Sequence, residues 1–391
     1  MAAMNNPPIP TFDVIVIGSG SIGAPAAFSL AQAGIRTLVL ESRASTGQGS
    51  NKAAIGGVRA THSDPAKVRL CLRSLEIFSG WQDRYGDDIE WHKGGYLFVA
   101  YREQEEQTLK NLLAVQHTLG LHIDWLNREE MLEVVPDLNP DGLRGGTYSP
   151  EDGSLSPLLA SHAFYRHARE YGAEFHFCET VTSLATEDGR ISGVRTDKGF
   201  YACKDVLLAA GAWAGRLGEQ VGMSLPVKPD SHEAAITEPA ARFLDPMVVD
   251  IRPVAGSSNY YFYQHSTGQI VFCITPNPNI WGYDCCETSS FLPMVARRMV
   301  SLMPRLANLR VRRTWRGLYP MTPDGFPIIG WSQEIQGLLV AVGMCGQGLM
   351  LGPGVGELAT RMILDDLTAS DYEILEILSP YREFVGQEKL K

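Results

Sequence analysis

The sequence lacks the features that mark several classes of protein. It has no stretch of about 18 uninterrupted apolar residues, the length that a membrane-spanning helix needs. Residues 1–11 contain neither a basic region nor a long apolar core, so we expect a short disordered leader rather than a signal peptide. Positive charge is in deficit, with 34 Lys and Arg against 44 Asp and Glu. This balance argues against nucleic acid or an anionic membrane as a partner.

Cysteine patterns are missing as well. The seven cysteines include no CxxC motif and no spacing typical of a metal site, and we expect no bound metal. An odd number of cysteines without a disulfide framework fits a reducing compartment, which predicts a cytoplasmic protein. We expect the adjacent Cys285 and Cys286 to be two packed thiols, the alternative being a redox disulfide.

The strongest positive signal lies between residues 12 and 41. An apolar run over residues 12–17 ends in a turn containing Gly18, Gly20 and Gly23, and an Ala-rich helical segment and a second apolar run follow, ending at Glu41. This order of strand, glycine turn, helix, strand and acid is typical of a dinucleotide site. The first glycine permits the tight turn, the second admits a pyrophosphate, and the third lets helix and strand pack closely. Glu41 can accept hydrogen bonds from ribose hydroxyls.

The rest of the chain alternates between helical and strand patterns without any internal repeat. The polar, glycine-rich segment over residues 42–64 is too long for an ordinary turn, which is typical of a functional loop. The patterns predict helices over residues 65–81, 103–119, 157–171 and 291–303, a helix starting at Asn127, a hairpin over 91–99, and strands over 174–178, on both sides of 188–189, and over 205–208, 310–315 and 337–342. Alternation with aromatic residues over 226–271 indicates an antiparallel sheet.

Glycine turns recur at 210–211 and 343–356, beside the ends of later apolar runs. A nicotinamide dehydrogenase keeps its nucleotide in one contiguous unit, whereas three separated segments indicate a longer cofactor, FAD. We therefore predict a mixed α/β fold in which a Rossmann-like FAD-binding domain is interleaved with a smaller antiparallel-sheet domain. The predicted bounds are 1–90, 141–222 and 321–391 for the FAD-binding domain, and 91–140 and 223–320 for the substrate-binding domain.

Over nearly its whole length the chain resembles the D-amino-acid oxidase superfamily of flavoproteins. It is most similar to the branch that holds sarcosine oxidase β-type subunits, dye-linked proline dehydrogenases and glycine oxidases. The matching segments are residues 13–41, 49–57, 94–97, 152–157, 209–213, 322–330 and 343–348. The resemblance implies non-covalent FAD bound by the following residues: Gly18, Gly20, Ser21, Ile22, Gly23, Glu41, Ser42, Arg43, Ser50, Asn51, Lys52, Gly56, Gly57, Val181, Ala210, Gly211, Trp213, Gly343, Gly346, Gln347, Gly348, Leu349 and Met350. The alternatives are a surface cation for Arg43 and a plain turn for 343–348.

The chain departs from the family pattern at two positions. Relatives that act on glycine or D-amino acids carry Arg in a Trp-x-Gly-Leu-Arg segment, where this chain has Tyr319. Monomeric sarcosine oxidases place Lys where this chain has Met350, and attach flavin through a Cys near the position of Tyr319. These departures argue against a simple glycine or D-amino-acid oxidase and against covalent flavin at that site.

Four residues are the candidates for substrate chemistry. Arg59 follows the flavin-side loop and could bind a carboxylate, the alternative being a salt bridge. Tyr261 and Tyr319 match pocket positions of relatives, the alternative being core packing. His62 could accept a proton from an ammonium substrate, although a solvated loop histidine is the alternative. His92, His232 and His265 are weaker candidates.

These residues predict an FAD enzyme that oxidises the CH–NH bond of a small amine or amino acid, such as sarcosine, proline or an N-methyl amino acid. A hydride passes to flavin N5, and the resulting imine is hydrolysed. The resemblance allows a redox-partner subunit besides the small-molecule substrate. Three alternatives stay open: an FAD-dependent 2-hydroxy-acid dehydrogenase, a non-catalytic FAD-bearing subunit or assembly factor, and a nicotinamide dehydrogenase.

Overall fold

The structure, a computed structural model, describes residues 11–390. The first ten residues of the expected leader lie outside this range. No helix within the described residues is long and apolar enough to cross a bilayer.

Strands and helices alternate along the chain, and their bounds are as follows. The strands are β1 (Thr11–Ile17), β2 (Thr37–Leu40), β3 (Gly57–Val58), β4 (Tyr96–Ala100), β5 (Asp124–Asn127), β6 (Gly145–Ser149), β7 (Gly153–Ser154), β8 (Glu174–His176), β9 (Val181–Glu187), β10 (Arg190–Thr196), β11 (Phe200–Leu208), β12 (Lys228–Thr237), β13 (Met247–Asp250), β14 (Gly256–Gln264), β15 (Ile270–Asn277), β16 (Val311–Met321), β17 (Ile328–Trp331) and β18 (Leu338–Val342). The α-helices are α1 (Gly23–Gln32), α2 (Pro65–Ser79), α3 (Trp81–Tyr85), α4 (Glu103–Thr118), α5 (Arg128–Val134), α6 (Pro157–Glu170), α7 (Ala214–Glu219), α8 (Phe291–Leu302), α9 (Gly348–Leu364) and α10 (Ala369–Leu378).

The first sheet has the strand order β17-β18-β11-β1-β2-β8, and β10 and β9 extend it from β11. From β18 to β8 the strands are parallel. β1 lies at its centre because its apolar side chains serve two cores: Val14 and Val16 pack under α1 and α9, whereas Phe12, Ile15 and Ile17 pack on the opposite face. This central position brings the glycine turn after β1 to the carboxyl edge of the sheet, where nucleotides bind in such folds.

The second sheet has the order β16-β12-β15-β14-β13-β4-β6-β5, and its pairs are antiparallel except for β13 with β4. One face packs against α5 and α8 through residues such as Tyr260 and Phe262. The other face carries Tyr96, Tyr261 and Tyr263 toward the first sheet. The predicted mixed α/β fold with two sheets is confirmed.

Three local predictions differ from the structure. Residues 91–99 are not a hairpin, because Gly94 and Gly95 turn the chain (φ of Gly95 is +85°) and β4 pairs instead with β6 and β13. β6 belongs to the second sheet, where it pairs with β4. The predicted boundary at residue 141 groups β6 with the FAD-binding domain instead. The two paired strands are far apart in the chain, so no local sequence pattern reveals the pairing. Cys285 and Cys286 are free thiols but are exposed rather than packed, since they lie on the loop after β15.

Candidate active site

A cavity of about 560 Å³ lies between the carboxyl edge of the first sheet and the tyrosine-bearing face of the second. We call the part around Gly18, Glu41 and Val181 its nucleotide end. The part around Tyr96, Tyr261 and Tyr319 is its tyrosine end. The size is typical of a site for a cofactor and a small substrate.

The glycine turn after β1 shows why each glycine is needed. Gly18 has φ +99°, and a Cβ there would lie 2.7 Å from the carbonyl oxygen of Ala209. A Cβ at Gly23 would lie 1.8 Å from the carbonyl oxygen of Gly18, so helix and turn pack too closely for a side chain. At Gly20 a Cβ would meet nothing within 4 Å, because the position faces the open cavity. No side chain caps α1, but Ala24 and Ala26 donate to the carbonyl oxygens of Gly20 and Ile22, and Pro25 has no N–H. The feature of this turn that admits a phosphate is therefore the open space at Gly20.

Glu41 is held in place at the end of β2. One carboxylate oxygen accepts from the backbone N–H of Ser19 and the other from the N–H of Arg43, each at 2.8 Å. The side chain is buried and lines the cavity. Its remaining lone pairs suit the hydroxyl groups of a ribose.

The loop over residues 49–57 and the third glycine segment complete this end. The Ser50 hydroxyl oxygen lines the cavity in a short helical turn (Ser50–Ala53) and is buried without a hydrogen-bond partner in residues 11–390. The side-chain carbonyl oxygen of Gln347 is likewise buried and unpartnered in the described chain. α9 begins next to Gln347 without a side-chain cap, so its first N–H groups are available to a ligand. The Ser50 hydroxyl, the first N–H groups of α9 and the open space at Gly20 fit the phosphates and ring of FAD.

Most residues that sequence reasoning assigned to the cofactor line the cavity. They are Gly18, Gly20, Ser21, Ile22, Glu41, Ser42, Arg43, Ser50, Asn51, Gly56, Gly57, Val181, Ala210, Gly211, Trp213, Gly343, Gly346, Gly348, Leu349 and Met350. Three do not line it: Gly23 packs on the turn, Gln347 is buried beside α9, and the Lys52 side chain is exposed.

At the tyrosine end the hydroxyl oxygens of Tyr261 and Tyr319 lie 2.8 Å apart. The imidazole of His232 stacks on the ring of Tyr319, with centroids 3.7 Å apart and planes inclined by 15°. Burial raises the pKa of both tyrosine hydroxyls, which are therefore protonated at neutral pH. In such a pair one hydroxyl donates to the other, and Tyr261 also hydrogen-bonds to the thiol of Cys273.

Arg59 and His62 do not lie with the tyrosines. Arg59 is buried behind Tyr96, stacks over the ring of Phe98 and donates to the backbone carbonyl of Leu390. His62 is buried between Arg59 and Glu388, and burial lowers its pKa well below the usual value. The placement of Arg59 therefore does not support a substrate role. His62 is also not the solvated loop residue that the alternative described.

Sequence reasoning missed or underrated four residues at the tyrosine end: Tyr96, Asp230, His232 and Cys273. Asp230 lies behind His232, and the others line the cavity. The signal that could have found them is the alternation of β12, which places Asp230 and His232 on one face. The lysines and arginines that line the cavity, within residues 11–390, are Arg43 and Arg216.

Arg43 follows Glu41 at the nucleotide end. Arg216 lies on α7, and its guanidinium is 4.9 Å from the ring centroid of Tyr283, on the loop after β15. No Lys or Arg in the described chain lines the tyrosine end. No group of His, Cys, Asp and Glu in the same residues is arranged to hold a metal ion.

Comparison with known proteins agrees with this geometry. A model of the DAO family, described as FAD dependent oxidoreductase, matches residues 13–362. Glycine oxidase from Geobacillus kaustophilus (strain HTA426) is 28% identical over 368 residues, which cover 92% of this chain and 95% of the relative. Hydrogen cyanide synthase subunit HcnC from Pseudomonas aeruginosa is 27% identical over 403 residues, covering 92% of this chain and 94% of that protein.

The crystal structure of L-proline dehydrogenase from P. horikoshii aligns with a TM-score of 0.89 at 32% identity, covering 96% of this chain and 98% of that one. The expected resemblance to this group of flavoproteins is thus confirmed, and FAD is the cofactor. A nicotinamide dehydrogenase is excluded. The chain belongs to the DAO family of FAD dependent oxidoreductases.

Proposed function

We propose that this oxidoreductase removes hydride from the C–H bond next to the nitrogen of a small amine or amino acid. Proline, sarcosine and other N-methyl amino acids are the substrate class we favour. The observation that carries the proposal is the buried hydroxyl pair of Tyr261 and Tyr319 at the end of the cavity away from Glu41. The likeness to an L-proline dehydrogenase and to glycine oxidases supports it.

The residues of the tyrosine end bind and orient the substrate in this proposal. When bound, FAD supplies the hydride acceptor at N5 of its ring. A hydroxyl of the tyrosine pair donates to a carboxylate oxygen of the substrate. The rings of Tyr96 and Tyr319 exclude water and present apolar surface to a small ring or methyl group. The substrate binds as the neutral amine and leaves as an imine, which water hydrolyses to a carbonyl compound and an amine.

The side chains that line the tyrosine end favour a substrate with a single carboxylate. Arg residues that bind carboxylates bidentately are absent from the tyrosine end within residues 11–390, and Met350 supplies no cation. Hydroxyl donors bind a carboxylate more weakly than Arg, so shape and apolar contact carry a larger share of recognition. A secondary amine such as proline offers that contact, whereas glycine does not.

The test is the visible spectrum of the purified protein under argon, before and after addition of L-proline, D-proline, sarcosine, glycine and lactate. We expect yellow protein that proline or sarcosine bleaches as the flavin is reduced. The variant Tyr319→Phe should weaken the response, and Tyr372→Phe, which changes an exposed tyrosine, serves as the control. Bleaching by lactate alone would favour the 2-hydroxy-acid alternative. Yellow protein that no compound bleaches would favour a non-catalytic subunit.

We also propose that a partner subunit accepts the electrons, since HcnC is named as a subunit of a larger enzyme. Re-admitting air after bleaching tests this. A flavin that stays reduced in air and is reoxidised by a quinone analogue supports the proposal. Rapid recolouring in air with hydrogen peroxide formation contradicts it.

A further inference from the structure

The tyrosine end contains a buried carboxylate–imidazole pair that the proposed chemistry does not use. The Nε2 atom of His232 lies 3.0 Å from a carboxylate oxygen of Asp230. The same carboxylate accepts from the side-chain amide of Asn279 at 2.6 Å and from the backbone N–H of Ile280 at 2.7 Å. Asp230 is fully buried, and His232 is 6% exposed. These bonds fix the imidazole at one position on the face of Tyr319.

Asp230 is ionised in this setting. Burial alone opposes its charge, but the hydrogen bonds from His232, Asn279 and Ile280 outweigh burial and lower the pKa of the carboxyl group. Among residues 11–390, the ion-pair partner of Asp230 is His232. The pair is an ion pair when His232 carries a proton, and an opposite charge stabilises a buried carboxylate.

When protonated, the stacked imidazole acts on the hydroxyl group of Tyr319. A cation on the face of an aromatic ring is attracted by the electrons of the ring. It also stabilises negative charge developing on the phenol oxygen, which makes the hydroxyl a stronger donor and opposes burial and the Asp230 carboxylate, both of which raise the pKa of Tyr319. Tyr319 passes this effect to Tyr261 through the 2.8 Å contact between their hydroxyl oxygens.

Other titratable groups near the pair do not supply this charge. Cys273 on β15 is buried next to Tyr261, and burial raises the pKa of its thiol. Glu233, also on β12, accepts hydrogen bonds from the backbone and the hydroxyl of Thr288. Arg316 on β16 pairs with Asp284, and the guanidinium of Arg216 on α7 stacks over the ring of Tyr283. The titratable group that stacks directly on the tyrosine pair is His232.

We propose that Asp230, a protonated His232 and Tyr319 form a carboxylate-recognition relay that takes the place of a substrate-binding arginine. His232 is a positioning residue, and the hydroxyls of Tyr319 and Tyr261 touch the substrate carboxylate. The relay selects small amino acids with one α-carboxylate over amines that lack it. This inference rests on the proposed function for its substrate class, although anion binding itself does not require turnover.

The experiment measures binding of pyrrole-2-carboxylate to the FAD-loaded enzyme by calorimetry, and of pyrrole as the matched ligand without a carboxylate. Neither planar ring has a saturated carbon next to nitrogen, so both bind without being oxidised. We expect His232→Gln to raise the Kd for the carboxylate ligand about tenfold, because the Tyr319 hydroxyl becomes a weaker donor, and to change the Kd for pyrrole less than about twofold.

The pH dependence separates the relay from a structural role. In the wild type, binding of pyrrole-2-carboxylate should weaken as the pH rises and His232 loses its proton, and His232→Gln should remove that dependence. Asp230→Asn, the second variant, keeps the shape of the side chain. In this variant the weakening of pyrrole-2-carboxylate binding should occur at lower pH than in the wild type. His265→Gln, which changes a histidine in the turn after β14, is the matched control.

Equal changes in Kd for the two ligands, or the same pH dependence in His232→Gln and the wild type, would overturn the relay. Failure of the wild type to bind pyrrole-2-carboxylate would overturn it too. The two proposals fail separately. If no amine bleaches the flavin but the carboxylate ligand still binds through His232, the proposed function fails and the relay stands. If proline bleaches the flavin equally well in His232→Gln, the relay fails alone.

Discussion

Lys67 Nζ and Glu388 Oε2 lie 2.5 Å apart, and both side chains are buried although 321 residues separate them in the chain. Ser63 donates to the same carboxylate from its backbone N–H and its hydroxyl. The carbonyl oxygen of Leu390, two residues after Glu388, accepts a hydrogen bond from Arg59. The last described residues therefore form part of the core behind Tyr96, where the two sheets meet.

Removing one partner of this ion pair should lower the free energy of unfolding by several kcal/mol. Lys67→Met leaves the Glu388 carboxylate buried without its ammonium group, and such unpaired charges cost about 3–5 kcal/mol. The free energy of unfolding in urea checks the prediction. Glu174→Gln, which breaks an exposed pair with Arg36, should cost less than about 1 kcal/mol and is the control. Equal losses in the two variants would contradict a stabilising role for the buried pair.

The same cluster predicts that stability falls in mild acid. Burial lowers the pKa of His62 well below its usual value, so the unfolded state takes up a proton on this histidine before the folded state does. The free energy of unfolding should therefore decrease as the pH falls below about 6.5, by up to about 1.4 kcal/mol per pH unit for one proton. The pKa of Glu388 is also lowered: burial opposes its charge, but the ammonium group of Lys67 outweighs burial. The stability that the Glu388 carboxylate contributes is lost at lower pH, as the pH falls through its folded pKa.

Urea denaturation between pH 8 and pH 5 measures this effect. His62→Gln should flatten the curve between pH 6.5 and 5, because the residue that takes up the proton is gone. His122→Gln changes an exposed histidine and should leave the slope as in the wild type. An unchanged slope in His62→Gln would show that another group takes up the proton.

The placement of Arg59 predicts a structural rather than a substrate-binding phenotype. Its guanidinium donates to the carbonyl of Leu390 and lies outside the residues that line the cavity. Arg59→Met should lower the free energy of unfolding by about 1–3 kcal/mol, because a buried carbonyl loses its donor. The KM for the substrate should stay within about twofold of the wild type, because Arg59 does not line the cavity. A large rise in KM with normal stability would restore the substrate role.

The cofactor segments could be predicted from the sequence because their glycines act locally. A turn that needs φ +99° at Gly18, or open space at Gly20, requires glycine at those positions, and the requirement is visible within a few residues of sequence. Tyr261 and Tyr319 also followed from the family pattern. Their roles stay a prediction that the binding experiments above test.

The rest of the site depends on partners far apart in the chain. Asp230 and Tyr319 come together through the register of β12 with β16, which no local pattern specifies. The backbone of Arg59 does follow the flavin-side loop as expected. Its side chain turns away because Leu390, 331 residues later, folds back to meet it. The direction of a side chain is thus set by packing that a single sequence does not reveal.

The glycine turn after β1 allows the cofactor site to be tested without disturbing the fold. A Cβ at Gly20 meets no protein atom within 4 Å, and the position lines the cavity. Gly20→Ala should therefore keep the stability of the apoprotein, while the added methyl group occupies space that the pyrophosphate needs. We expect the Kd for FAD to rise about tenfold or more, equivalent to at least about 1.4 kcal/mol.

Quenching of FAD fluorescence on titration with apoprotein measures this Kd, and thermal unfolding of the apoprotein measures stability. Gly199→Ala is the matched control, because a Cβ there also meets nothing within 4 Å but the residue does not line the cavity. It should leave both the Kd and the midpoint of unfolding unchanged. Gly23→Ala should instead destabilise the apoprotein, since its Cβ would lie 1.8 Å from the carbonyl oxygen of Gly18. If Gly20→Ala binds FAD as tightly as Gly199→Ala does, the pyrophosphate does not pass Gly20, and the assignment of the nucleotide end is wrong.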